Sequence, residues 1–160
     1  MNAHSQADLV SELHRLLGRT VVASANLDLV VALALQAAAS RAGAPMSSQA
    51  IDSLNTCKKL EALQAHLAKR PPSSTSSALL APWFSQASEL RQLRNSFVHG
   101  RWGIAPLSQE VCFVPAGLPL SASEAPPAEC RYSLSELSDE VAKIETLAGE
   151  MVSLRLKHHF

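Results

Sequence analysis

A chain of 160 residues can bury a core without disulfide or metal staples, and one domain spanning residues 1–160 is the default reading. Hydrophobic residues make up 47% of it and charged residues 18%, which excludes a disordered chain and fits a mainly helical soluble protein. The 14 basic and 14 acidic residues cancel to zero formal charge, which argues against a protein that coats nucleic acid without selectivity.

The first segment, from about Ser5 to Arg41, sets Leu9, Leu13, Leu16, Leu17 and Val21 at three- and four-residue intervals and then turns apolar nearly all round. This pattern predicts one long core helix, or two broken near Gly18. The most apolar part, Val21 to Ala39, starts too late for a signal peptide and carries Asn26, Asp28 and Gln36. Those residues are costly at bilayer depth, so the segment reads as a buried helix, not a membrane span.

Gly43 and Pro45 end that helix, and a second is predicted from about Ser48 to Lys69, with Ile51, Leu54, Leu60, Leu63 and Leu67 facing inward. RPPSSTSS (Arg70 to Ser77) reads as a flexible connector. A third helix is predicted from about Ala78 to His99, where Gly100 suits the left-handed residue that closes a helix. Beyond it QEVCFVP and ECRYSL alternate polar and apolar residues and are expected to pair as a two-stranded ribbon leaning on the helices. Ser133 followed by Glu136 forms a capping box, Tyr132 and Leu137 a hydrophobic staple. The stripe Leu137, Val141, Ile144, Ala148, Met151, Leu154 marks the last helix. The sum is a mainly α, four-helix-bundle-like domain with a short hairpin and loop insertion, residues 101–131, between the third and fourth helices.

Charge is uneven along the chain. Lys58 to Arg101 holds seven basic and two acidic residues, whereas from Trp102 onward eight acids face four bases. The middle of the chain is thus either a local anion-binding surface or a solvated helix pair. Cys57, Cys112 and Cys130 are odd in number and contain no CxxC pair, so neither zinc nor a disulfide framework is indicated, and a reducing cytoplasm is the simplest setting. Cys112 and Cys130 face each other across the predicted ribbon either as a redox pair or, the plainer reading, as inert thiols. The histidines other than His99 are isolated or terminal.

The stretch LRQLRNSFVHGRWG (Leu90 to Gly103) is the informative one. At 100° per residue Trp83, Ala87, Leu90, Leu93, Phe97 and Val98 cluster on one side of the third helix, and Arg94 points into the middle of that cluster. Asn95 and His99, four residues apart, lie one above the other at its edge. A buried arginine needs a partner or a binding role. Either Arg94 pairs with a carboxylate such as Asp28, or the apolar arc is a subunit interface where Arg94, Asn95 and His99 meet their symmetry mates.

The run RNSFVH, with a polar residue directly after the arginine, fits the R-x(4–6)-H pattern of the HEPN domain superfamily. The element order also resembles that superfamily, which has a long first helix, a second helix, the motif at the end of the third, and a closing helix. The resemblance implies a HEPN-type helical fold that dimerises so that two motifs face each other. It also implies a metal-independent endoribonuclease of the toxin–antitoxin or phage-defence kind, with RNA as substrate, no cofactor, and an antitoxin protein as a further partner. Carried over residue by residue, His99 moves a proton as the 2′-hydroxyl attacks the adjacent phosphate, Arg94 holds that phosphate, and Asn95 orients one of them. Arg91, Arg101 and Trp102, which flank the motif, are the candidate RNA contacts, the indole as a stacking surface. Some HEPN-like proteins instead serve as non-catalytic interaction modules, and residues 101–131 lie where they would either cover or open the cleft.

Overall fold

The computed structural model describes residues 6–69, 74–105, 110–114 and 129–158. The described chain is mainly α, with a small antiparallel sheet. Helix α1, Gln6–Arg41, runs unbroken through Gly18. Gly43 then adopts a left-handed conformation, φ 72°. Its N–H reaches the Ser40 carbonyl at 3.1 Å while Ala44 N–H reaches Ala39 at 3.0 Å, the paired bonds by which a glycine stop satisfies the last carbonyls of a helix.

The predicted second helix is two. Helix α2, Ser48–Asp52, is capped by the Ser47 hydroxyl, and α3, Thr56–Lys69, starts afresh. Asn55 causes the restart: its side-chain oxygen accepts from Lys58 N–H at 3.0 Å, which makes it an N-cap inside the expected helix. Helix α4, Ser74–His99, begins within the segment read as connector, so residues 74–77 are helical and only residues 70–73 of that segment lie outside the described ones.

Strands β1, Arg101–Ile104, β2, Val111–Val114, and β3, Cys130–Tyr132, follow in spatial order β1-β2-β3. The β2–β3 ribbon matches the alternating pattern, with Cys112 opposite Arg131; β1 is a third strand that the sequence did not announce. The register puts Trp102, Ile104, Val111, Phe113 and Tyr132 on one face, where Val111 and Phe113 are buried, and Arg101, Gly103, Cys112, Val114 and Arg131 on the other. The proposed Cys112–Cys130 pairing fails on the same alternation. The two thiols stand on opposite faces and are not joined by a disulfide.

Helix α5, Leu134–His158, opens with the predicted capping box. Glu136 accepts from Ser133 N–H at 2.7 Å, and the Ser133 hydroxyl accepts from Glu136 N–H at 3.1 Å. The Ser133 N–H, and after it the Ser133 hydroxyl donating at 2.9 Å, hold the Glu136 carboxyl below the usual carboxylate range. A depressed folded pKa stabilises above the unfolded value and loses that contribution as pH falls through the folded one, so this helix start weakens on acidification. Ser133→Ala is expected to cost about 1 kcal/mol and to remove part of the acid dependence, checked by urea melts at pH 7 and pH 4.

The chain divides into two compact units. One comprises residues 1–22 and 92–142, the other residues 23–91 and 143–160. The first has a core of Leu13, Leu16, Phe97, Val111 and Leu137, with Trp102 and Tyr132 packed against it. The second buries Leu27, Val31, Leu35, Leu63, Trp83 and Met151 among others, and the Trp83 indole N–H donates to the Leu147 carbonyl at 3.0 Å. Lys59, only 5% exposed, is paired with Asp28 at 2.5 Å, and Thr56 donates to the other oxygen of that carboxylate. The most apolar window of α1 has a mean hydropathy of 1.8 and is 33% buried. Leu27, Val31 and Leu35 are buried whereas Val22, Leu29 and Leu33 are exposed, so the all-round apolar character seen in the sequence covers one core face and one open face.

Candidate functional site

The last turns of α4 carry the motif in the first unit. Arg94 and Asn95 are half-buried and His99 is exposed. Arg94 Nη1 donates to Asn95 Oδ1 at 2.9 Å, so the asparagine directly after the arginine is the acceptor that orients the guanidinium. Asp28, the carboxylate that an architectural Arg94 would take, is engaged by Lys59 and Thr56 instead. Among the described residues no carboxylate forms an ion pair with Arg94.

Gly100 does not close the helix in a left-handed conformation, because Gly43 alone among the described glycines has positive φ. Its reason is space. A Cβ at Gly100 would stand 1.9 Å from Phe113 Cε2, so the chain can pass from α4 into β1 only where no side chain intervenes. The orphan carbonyl of Phe97 near the helix end is taken by the Trp102 indole N–H at 2.8 Å. Trp102 then packs edge-on to Phe97, 5.0 Å between centroids, and tilted on Phe113 at 4.6 Å. This aromatic cluster fixes the position at which His99 leaves the helix.

Two of the flanking candidates, Arg101 and Trp102, do not share a face. Arg101 and Trp102 are neighbours in β1 and so point to opposite faces: Arg101 is exposed and Trp102 is half-buried in the aromatic cluster. Arg91 belongs to the second unit, where it lines a cleft with residues of α3 and α4. Lys59, counted in the basic run, is buried on Asp28, and Lys58 is paired with Glu61 at 2.8 Å. The basic stretch therefore offers anions less than its residue count suggests. A feature that the sequence did not reveal is a groove of about 250 Å³ beside the motif, lined by Leu17, Gly18, Thr20, Val21, Phe97, Val98 and Trp102. Its only trace in the sequence is Gly18, a glycine inside a long helix.

Cys112 is not poised as a nucleophile, since burial and a hydrogen bond to Glu129 push its thiol up. Among the described residues no three of His, Cys, Asp and Glu come together as a metal-ligating group. Comparison with protein-family models, with curated proteins and with solved structures finds no match to this chain.

Proposed function

We propose that this chain is a HEPN-like, metal-independent endoribonuclease that works as a homodimer, with Arg94, Asn95 and His99 as its working residues. The observation that carries the reading is the state of Arg94. It sits half-buried in an apolar arc with only Asn95 as partner among the described residues, and a guanidinium so placed is prepared for a phosphate. An arginine serving architecture alone would be salt-bridged within its own subunit.

His99 is exposed at the helix end, and an imidazole is a side chain that can both take up and deliver a proton. In the reaction it takes the proton of the 2′-hydroxyl as that oxygen bonds to the adjacent phosphorus. The P–O5′ bond breaks, the leaving oxygen takes a proton from water, and a 2′,3′-cyclic phosphate remains. Arg94 holds the non-bridging oxygens as negative charge builds on them, and Asn95 keeps the guanidinium in place. The groove along Phe97, Val98 and Trp102 is suited to an unstacked base next to the scissile phosphate. The dimer supplies a second copy of the motif across the cleft, and an antitoxin protein covering that cleft would silence the enzyme.

The test is RNA cleavage by the purified protein with chelator present, comparing wild type with His99→Ala and Arg94→Ala after circular dichroism has verified the folding of each. Each variant is expected to lose about 10²-fold or more in rate. A wild type that cuts nothing, together with an Arg94→Ala variant that falls from dimer to monomer, would instead make the chain a HEPN-like interaction module.

A further inference from the structure

The second unit contains a cleft that the ribonuclease reading leaves unused. It occupies about 480 Å³ between α3 and α4, and Leu60 and Phe84 form its apolar wall. Arg91, half-buried, lines it. The Arg91 Nε is buried and has no hydrogen-bond partner, which is costly for a cationic donor. A guanidinium with one donor shielded from water and unpaired favours an anion brought to it. Glu61 lies in the same cleft. Its carboxyl is held below the usual range by a hydrogen bond from Lys58, then by one from Cys57, with Arg91 contributing a weaker attraction. The cleft thus joins an under-partnered cation, a fixed carboxylate and an apolar wall, in a volume typical of small-molecule sites.

We infer that this cleft binds a small organic monocarboxylate with an apolar body, its carboxylate on Arg91 and its body against Phe84 and Leu60. The charge count selects the ligand class. Arg91 and the Lys58 that pairs with Glu61 supply two positive charges against the single negative one of Glu61, which leaves one net positive charge for one carboxylate to neutralise. The apolar wall gives an organic body a surface to pack on, which inorganic phosphate cannot use.

The probe is phenylacetate, with 2-phenylethanol as its neutral counterpart and inorganic phosphate as the polar anion, titrated into the full chain and followed by NMR at the Leu60 methyls and the Phe84 ring. Phenylacetate is expected to give saturable shifts at both residues, and the two controls are expected to bind at least about tenfold more weakly. Arg91→Gln is expected to weaken phenylacetate at least about tenfold, and Glu61→Gln to tighten it severalfold by removing the opposing charge. Should Arg91→Gln misfold, the Glu61→Gln titration decides alone. The inference is overturned if wild type shows no saturable shift, if 2-phenylethanol binds as well as phenylacetate, or if neither substitution moves the affinity in the stated direction.

Discussion

Gly100→Ala is expected to cost roughly 3 kcal/mol or more, at the upper end of what overpacking does, and to melt the first unit well before wild type in urea. The added methyl would lie 1.9 Å from Phe113 Cε2 and 2.8 Å from two further atoms of the same ring. A flexible side chain swings away from such a clash, but this ring is hemmed in. Phe113 is 3% exposed and packs against Phe97, Trp102 and Tyr132 with centroids 4.6–6.3 Å apart. Moving it disturbs every member of the cluster, including the Trp102 indole that caps the Phe97 carbonyl. The double variant Gly100→Ala/Phe113→Leu is expected to recover part of the loss, since a smaller side chain opposite the new methyl relieves the overlap. A single variant that unfolds within 0.5 kcal/mol of wild type, a shift typical of ordinary surface positions, would show that the close approach is not a constraint.

The second large effect concerns Asp28 and Lys59, whose two partners are expected to respond unequally. The Lys59 side chain is 6% exposed and that of Asp28 33%. Asp28→Ala strands the ammonium in the core of the second unit and is expected to cost about 3 kcal/mol, the low end for a broken buried pair because Asp28 keeps some contact with water. Lys59→Met removes the buried charge itself and leaves Asp28 with Thr56 and solvent. It is expected to be near neutral or mildly stabilising. Paired urea melts of the two variants check this, and equal losses from both would count against the stranded-charge argument.

Where one short segment carries the whole physical instruction, the sequence was easy to read. The Ser133–Glu136 box and the Gly43 stop are local devices: each bond lies within six residues, and the residue types alone predict it. The β2–β3 ribbon was legible for a similar reason, since alternation shows in a handful of residues. Strand β1 was not, because four residues directly after a helix have no period to detect and are strand only by virtue of β2 beside them. The Asn55 restart had a signal, an asparagine ahead of a threonine, that the leucine spacing overrode. Gly100 shows the deeper limit. Its sequence context is that of an ordinary helix stop, and its actual constraint comes from a ring thirteen positions later.

The candidate site divides in the same way. Helical spacing placed Arg94 in the apolar arc and Asn95 with His99 at its edge, and the half-buried and exposed states of these residues fit that placement. Spacing carries no information about which carboxylate goes to which cation. Asp28 was equally available to Arg94 and Lys59 on paper, and only the packing of α1 with α3 assigned it to the lysine. The basic run misled for the same reason: a charge count ignores that Lys59 is spent internally.

The placement of the two tryptophans offers a spectroscopic handle on the molecule. Trp83 lies in the second unit, sealed from solvent, and Trp102 in the first, half-buried; the sequence holds no other. A chain with a single indole left in either unit therefore emits from that unit alone. Two such chains with coincident denaturation midpoints would describe one cooperative transition, whereas separated midpoints would describe an intermediate in which one unit has melted and the other still fluoresces as native.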